Sequence, residues 1–174
     1  MAKPLADIIA PHLSVVFCGI NPGISAAASG HHFVGRNNRF WRAIHLAGFT
    51  PEEILPENDR AILDYGCGLT VVVERPTARA DDLSEQEFIA AAMEFERKIV
   101  HFAPRFVAFL GKAAYAALSG QREIAWGPQQ ITIGGAAVWL LPNPSGRNRA
   151  FGLDQLVSAY GQLNQAVKQR CPRT

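Results

Sequence analysis

Val15-Val16-Phe17-Cys18-Gly19-Ile20-Asn21-Pro22-Gly23-Ile24-Ser25 is the stretch whose reading decides the fold. An apolar run that breaks into two glycines, an asparagine and a proline reads as a buried strand spilling into a tight loop. In open parallel α/β sheets, ligands bind beyond the carboxyl ends of the strands. Asn21, one residue past the run, therefore stands where a reacting group belongs. A second run, Ala136-Ala137-Val138-Trp139-Leu140-Leu141, ends the same way in Pro142-Asn143-Pro144-Ser145-Gly146. The expectation is that two strands deliver two asparagine-proline loops to one edge of one sheet.

Outward from these runs, the pattern alternates strands with helices. Ala6 to Ala10 reads as a short helix stopped by Pro11, ahead of the first strand, Ser14 to Gly19. Ile20 to Asn38 reads as one long loop, of a length that usually marks function or disorder. Arg39 to Ala47 and Pro51 to Tyr65 read as helices, and the β-branched run Leu69 to Val73 as a buried parallel strand. Ser84 with Glu87 forms a capping box that opens a helix whose Phe88, Ala92, Phe95, Ile99 and Phe102 make an inward stripe. Phe106 to Leu110 is a third strand, and Ala113 to Leu118 a helix. Gly134-Gly135 is a two-residue hairpin signal between Ile131 to Ile133 and Ala136 to Leu141. From about Gly152 an amphipathic helix runs through Leu153, Leu156, Val157, Tyr160, Leu163 and Val167, then frays into Lys168, Arg170 and Arg173. Such an order implies an α/β layer fold around a mainly parallel sheet, built as a single domain over residues 1–174.

A chain of 174 residues buries roughly 70 percent of its unfolded surface without staples. Three cysteines, at 18, 67 and 171, form no C-x-x-C pair and are too few for a four-cysteine iron-sulfur cluster. Cys18 reads as a core residue, and no metal or cofactor is expected. No run approaches the roughly 20 apolar residues a membrane span requires, and the expected location is the cytoplasm. The net charge of +2 hides a segregation. Residues 52 to 96 hold 12 acidic side chains against Arg60, Arg75 and Arg79, a balance of −9, so the remainder carries +11. Ile8 to Pro51 has no acid but has Arg36, Arg39 and Arg42, and Ile124 to Leu153 has none either, with Arg147 and Arg149. Buried strands account for part of this poverty in acids but not for arginines in the loops. A cationic surface around both loops suits a polyanion.

Gly19-Ile20-Asn21-Pro22-Gly23 with Asn143-Pro144-Ser145-Gly146 resembles the motif pair of the mismatch-specific uracil-DNA glycosylases, the Mug and thymine-DNA glycosylase branch of the uracil-DNA glycosylase superfamily. Asn38-Arg39-Phe40-Trp41, Ala47-Gly48-Phe49-Thr50, Asp64-Tyr65, Arg75-Pro76-Thr77, Leu110-Gly111-Lys112 and Trp126-Gly127 extend the likeness in order and spacing from about Ile8 to Val167. The resemblance implies a three-layer α/β/α fold. It also implies a monofunctional enzyme that hydrolyses the N-glycosidic bond of uracil, and more slowly of thymine or etheno-cytosine, opposite guanine in double-stranded DNA. Monomer is the simplest expectation.

In that reading Asn21 orients the attacking water; its alternative is to tie down its own turn. Phe33, the lone aromatic of the long loop, matches the position that stacks on a flipped base, or else anchors the loop. Backbone N–H groups around Ile20 and Gly23 would read the pyrimidine edge, and Asn143 would face the leaving base. The loop Asn143 to Arg149 would probe the minor groove, with Arg147 as the plug or as a plain phosphate contact, and Ser145, Gly146, Asn148 and Arg149 beside it. Asn38 and Arg39, opening a helix, suit a phosphate. Glu74, after the second strand, is a candidate auxiliary carboxylate, or else pairs with a neighbour such as Arg75.

Other chemistries fit less well. The glycines are not spaced G-x-G-x-x-G, and Gly111-Lys112-Ala113 lacks a P-loop hydroxyl, which disfavours a nucleotide hydrolase. His31 and His32 are adjacent rather than four apart, which disfavours zinc, and Ser25 and Ser145 lack a nucleophile elbow. A lesion-sensing DNA-binding module would keep the arginines and Phe33 but have no need of Asn21.

Overall fold

The computed structural model describes residues 4–170; Cys171 and Arg173 lie outside them. Its strands are β1 (Val15–Gly19), β2 (Cys67–Val71), β3 (Phe106–Leu110), β4 (Gly127–Ile133) and β5 (Ala136–Leu141). Its α-helices are α1 (Ile24–Ser29), α2 (Phe40–Leu46), α3 (Glu85–Phe102), α4 (Lys112–Ser119) and α5 (Leu153–Gln169). The strands form one sheet in the order β2-β1-β3-β5-β4. All neighbours run parallel except β4 and β5, which are the antiparallel arms of the Gly134-Gly135 hairpin. Both turn glycines have positive φ, 55° and 84°, the backbone that a tight hairpin demands and that side chains resist.

Alternation along the strands splits the core into two layers. Val15 and Phe17 of β1 and Phe106, Ala108 and Leu110 of β3 pack on one face with Phe40 and Ile44 of α2 and Leu156, Tyr160 and Leu163 of α5. Cys18, Val107 and Phe109 pack on the other with Phe95 and Ile99 of α3 and Tyr115 of α4. The result is the expected three-layer α/β/α arrangement. Cys18 and Cys67 are buried, and desolvation pushes the Cys67 thiol up to about 12 and that of Cys18 higher still. Both behave as core residues, without the depressed pKa of a nucleophile.

Three segments differ from their sequence reading. Ala6 to Ala10 is not a helix: Ile8 bridges antiparallel to Leu69, with Ile8 N–H donating to the Leu69 carbonyl at 2.9 Å and the Ile8 carbonyl accepting from Leu69 N–H at 2.7 Å. A five-residue helix cannot repay its nucleation, whereas the open edge of β2 offers ready partners. The helix expected from Pro51 begins at Pro56 and is a 3₁₀ stretch, Pro56–Tyr65, kinked at Asn58. Pro56 holds Leu55 extended and so resets the start. The long loop contains α1, a six-residue helix of Ile24 followed by alanines and serines, between Gly23 and a left-handed Gly30. Among the described residues no helix is long and apolar enough to cross a membrane.

Candidate active site

Chain order places β1 in the interior of the sheet, with β2 on one side and β3 on the other. The chain thus reverses direction across β1, and a crevice opens at the carboxyl ends of the strands. Asn21 emerges from β1, Gly111 from β3 and Asn143 from β5. Gly111, at φ 105°, ties to the neighbouring strand by N–H donation to the Leu141 carbonyl. A Cβ there would meet Asn143 Cβ at 3.6 Å, an ordinary contact, so it is the left-handed backbone and not the space that calls for glycine.

The crevice is a cleft of about 410 Å³, in the range that holds a small ligand. Of the residues expected at the site, Ile20, Asn21, Gly23, Phe33, Asn38, Asn143, Ser145 and Arg147 line it. Positions 21, 33 and 147, remote in sequence, therefore meet at one concavity. The start of α1 opens onto it as well, through Ile24, Ser25 and Ala26, and no side chain caps that helix. The first-turn N–H groups of an uncapped helix are left as donors.

The two asparagines are set in opposite senses. Asn21 Nδ2 donates to the Arg75 carbonyl at 2.7 Å and to Thr77 Oγ1 at 2.9 Å. Both amide protons are spent on the protein, and Oδ1 is the end left to accept. In Asn143 the oxygen is the spent end: Oδ1 accepts from Ser145 N–H at 2.9 Å, which leaves Nδ2 to donate. One half-buried amide thus offers the cleft an acceptor and the other a donor. The Asn143 loop is further held from below, where the buried Tyr160 hydroxyl donates to the Pro142 carbonyl at 2.8 Å.

Phe33 is half-buried and both anchors its segment and lines the cleft. Its ring stacks on Phe40 at 4.2 Å and meets Trp41 edge-on at 6.4 Å. Its φ of 55° is an outlier for an aromatic residue, and such strain, of order 1–3 kcal/mol, persists only where surrounding contacts hold it. One such contact is the Trp41 indole, which donates to the His32 carbonyl at 3.1 Å.

Arg39 points inward. Its Nε donates to the Pro144 carbonyl at 3.3 Å, one Nη to that of Phe151, and the other to those of Ser145 and Asn148 at 2.9 and 3.0 Å. Four of its five N–H groups are committed to the backbone of the second loop. Asn38 Oδ1 accepts from Phe40 N–H at 3.0 Å, an Asx turn that leads the chain into α2. Asn148 Nδ2 donates to the Asn143 carbonyl at 2.9 Å. Gly146 is pressed against the turn before α2: a Cβ there would stand 2.5 Å from Asn37 Cβ. Arg36, Arg42, Arg147 and Arg149 are exposed.

Glu74 does not join the cleft. It is exposed and lines a separate depression with Glu87, Glu94, Arg97 and Lys98. The chain stays beside Asn21 through the Arg75 carbonyl and Thr77, while the side chain of Glu74 is exposed on the separate depression. Nor does Glu74 take Arg75, whose guanidinium pairs with Glu87 at 2.7 and 3.0 Å. Those bonds, with that from Ser84, hold the Glu87 carboxyl down at about 2. Thr77, named in the sequence only within a motif, is the site residue that reasoning on strand ends missed. It is buried and sits 56 positions from the amide it contacts.

The model of the uracil DNA glycosylase superfamily matches residues 6–166. A protein from Methanosarcina acetivorans, whose solution NMR structure was described as a "putative Uracil DNA glycosylase", superposes with a TM-score of 0.61. It is 16% identical in sequence, over 94% of this chain and 98% of that one, a distance at which the likeness speaks for the fold. The match over nearly the whole length, on a parallel sheet whose strand ends carry the two asparagine loops, leads to one conclusion: this chain belongs to the uracil DNA glycosylase superfamily.

Proposed function

We propose that the protein is a monofunctional, mismatch-directed DNA glycosylase that removes uracil opposite guanine from double-stranded DNA, and thymine or etheno-cytosine more slowly. The reading rests above all on the opposed setting of Asn21 and Asn143 across one cleft. When the C1′–N1 bond breaks, its electron pair stays on the base and the sugar becomes a cation. Catalysis then needs donors for the base and a placed water for C1′. Asn143 Nδ2 and the N–H groups at the start of α1 serve the departing base. Asn21 Oδ1 accepts a hydrogen bond from the water, whose oxygen adds to C1′. Asn21 cannot take up a proton at neutral pH, so the excess proton passes to the departed base or to solvent.

Phe33 offers a face to the extruded pyrimidine. Arg147, exposed at the rim, enters the gap in the helix, and the backbone of Gly146 to Asn148 meets the unpaired guanine. Asn38 and Arg149 would contact the sugar-phosphate chain. Arg39 serves as the brace of the second loop instead of a phosphate contact. The test is abasic-site formation on duplexes that differ only in one pair. Alkali-labile breaks should form fastest at G·U, more slowly at G·T, and most slowly at A·U. Tight binding of G·U duplex with no breaks would mean a lesion sensor instead.

A further inference from the structure

We propose that Thr77 is the positioning residue that fixes which end of the Asn21 amide faces the cleft. The inference rests on the glycosylase reading for its consequence, though not for its geometry. Asn21 Nδ2 meets two groups, the Arg75 carbonyl at 2.7 Å and Thr77 Oγ1 at 2.9 Å. The carbonyl has no proton to give. The hydroxyl has one, and it is spent: Thr77 Oγ1 donates to the Arg79 carbonyl at 2.6 Å. Both neighbours are therefore acceptors, and the nitrogen end alone can face them. A flipped amide would set oxygen against two acceptors beside a buried side chain and leave them unsatisfied.

The direction of this relay matters for the water. A water that donates to Oδ1 keeps a lone pair for C1′. If the amide turned, its N–H groups would engage that lone pair and blunt the nucleophile. Thr77 is itself held in place: its N–H donates to the Pro22 carbonyl at 3.2 Å, and Gly23 and Thr77 form a parallel bridge. The segment that carries it is pinned at its flanks by Arg75, which grips Glu87 and donates to the Asp82 carbonyl at 3.0 Å. Asn21 is thus oriented by a segment that turns one backbone carbonyl and one hydroxyl toward its nitrogen end.

Thr77→Val keeps the shape and removes the relay, whereas Thr77→Ser keeps it. On G·U duplex under single turnover, Thr77→Val should lose about 100-fold in the excision rate, the scale of a misplaced catalytic group. Its duplex affinity and melting temperature should stay near wild type, and Thr77→Ser should recover most of the rate. A second readout needs no activity. In a ¹⁵N spectrum of the wild-type protein, the Asn21 side-chain NH₂ pair, identified by its loss in Asn21→Ala, should exchange slowly with water. In Thr77→Val it should exchange fast. A Thr77→Val protein as active as wild type, or a wild-type NH₂ pair already in fast exchange, would overturn the inference. A wild-type protein that releases no base while keeping a protected NH₂ pair would overturn the glycosylase reading and leave the relay standing.

Discussion

Arg39 Nη2 lies 2.9 Å from the carbonyl oxygen of Ser145, a residue 106 positions further along the chain. With its bonds to Pro144, Asn148 and Phe151, this guanidinium shapes the loop that carries Asn143 and Arg147. A lysine in its place brings a single ammonium, which cannot reach four carbonyls spread around a planar fork. Arg39→Lys should therefore lose about 2–4 kcal/mol of stability in urea unfolding, from several charge-assisted bonds and the carbonyls they leave unpaired. The excision rate should fall as the loop loosens. A variant with unchanged unfolding would mean that the loop holds its shape without the brace.

Arg147 is exposed at the rim of the same cleft. As the plug it acts only where a base has left a duplex. Arg147→Ala should then lower excision from G·U duplex about tenfold, in line with an interface hot spot of 1–2 kcal/mol, and change excision from single strands by less than about twofold. Equal losses on both, with a salt slope shallower by about 1, would assign it to a phosphate.

His32 precedes the strained Phe33 and is buried, with 4% of its surface exposed. Its Nε2 bonds to the Ala6 carbonyl at 2.8 Å, and its backbone N–H donates to Asp59 at 2.9 Å. Burial lowers its pKa below the usual 6.5, outweighing the carbonyl and nearby carboxylates that raise it. The unfolded chain therefore binds a proton that the folded chain refuses. Stability from this group is full above about 6.5 and is lost as pH falls below that value, by at most about 1.4 kcal/mol per pH unit. His32→Gln keeps a donor for Ala6 and removes the titration. Its unfolding free energy should fall less than that of wild type between pH 7.5 and 5.5. Parallel slopes would show that His32 does not report this transition.

Much of this fold was legible because local chemistry and tertiary packing agree. Gly134-Gly135 could only be a tight turn, and Ser84 with Glu87 does form the capping box that opens α3. The apolar runs at Val15 and Ala136 had no exposed role open to them. Reading failed where a long-range partner decided the outcome. Ile8 looks helical beside Ala6 and Ala10 until the open edge of β2 is known. The α1 segment looks like loop because its alanines and serines carry no apolar stripe. Arg39 looks like a phosphate ligand because nothing local reveals that its carbonyl partners lie more than 100 positions away. At the site, the strand-end rule located Asn21 and Asn143, but not which end of each amide would face the cleft. That depends on Thr77, Arg75 and Ser145, and the first two join Asn21 only once the chain has folded.

The central claim, that Asn21 presents its carbonyl oxygen to the attacking water, is tested most directly by single-turnover excision from G·U duplex by Asn21→Ala, with duplex affinity measured on the same protein. The account predicts a rate at least about 100-fold below wild type, with affinity for the mismatched duplex changed less than about threefold. Excision at the wild-type rate by an Asn21→Ala protein that still binds the duplex would contradict it.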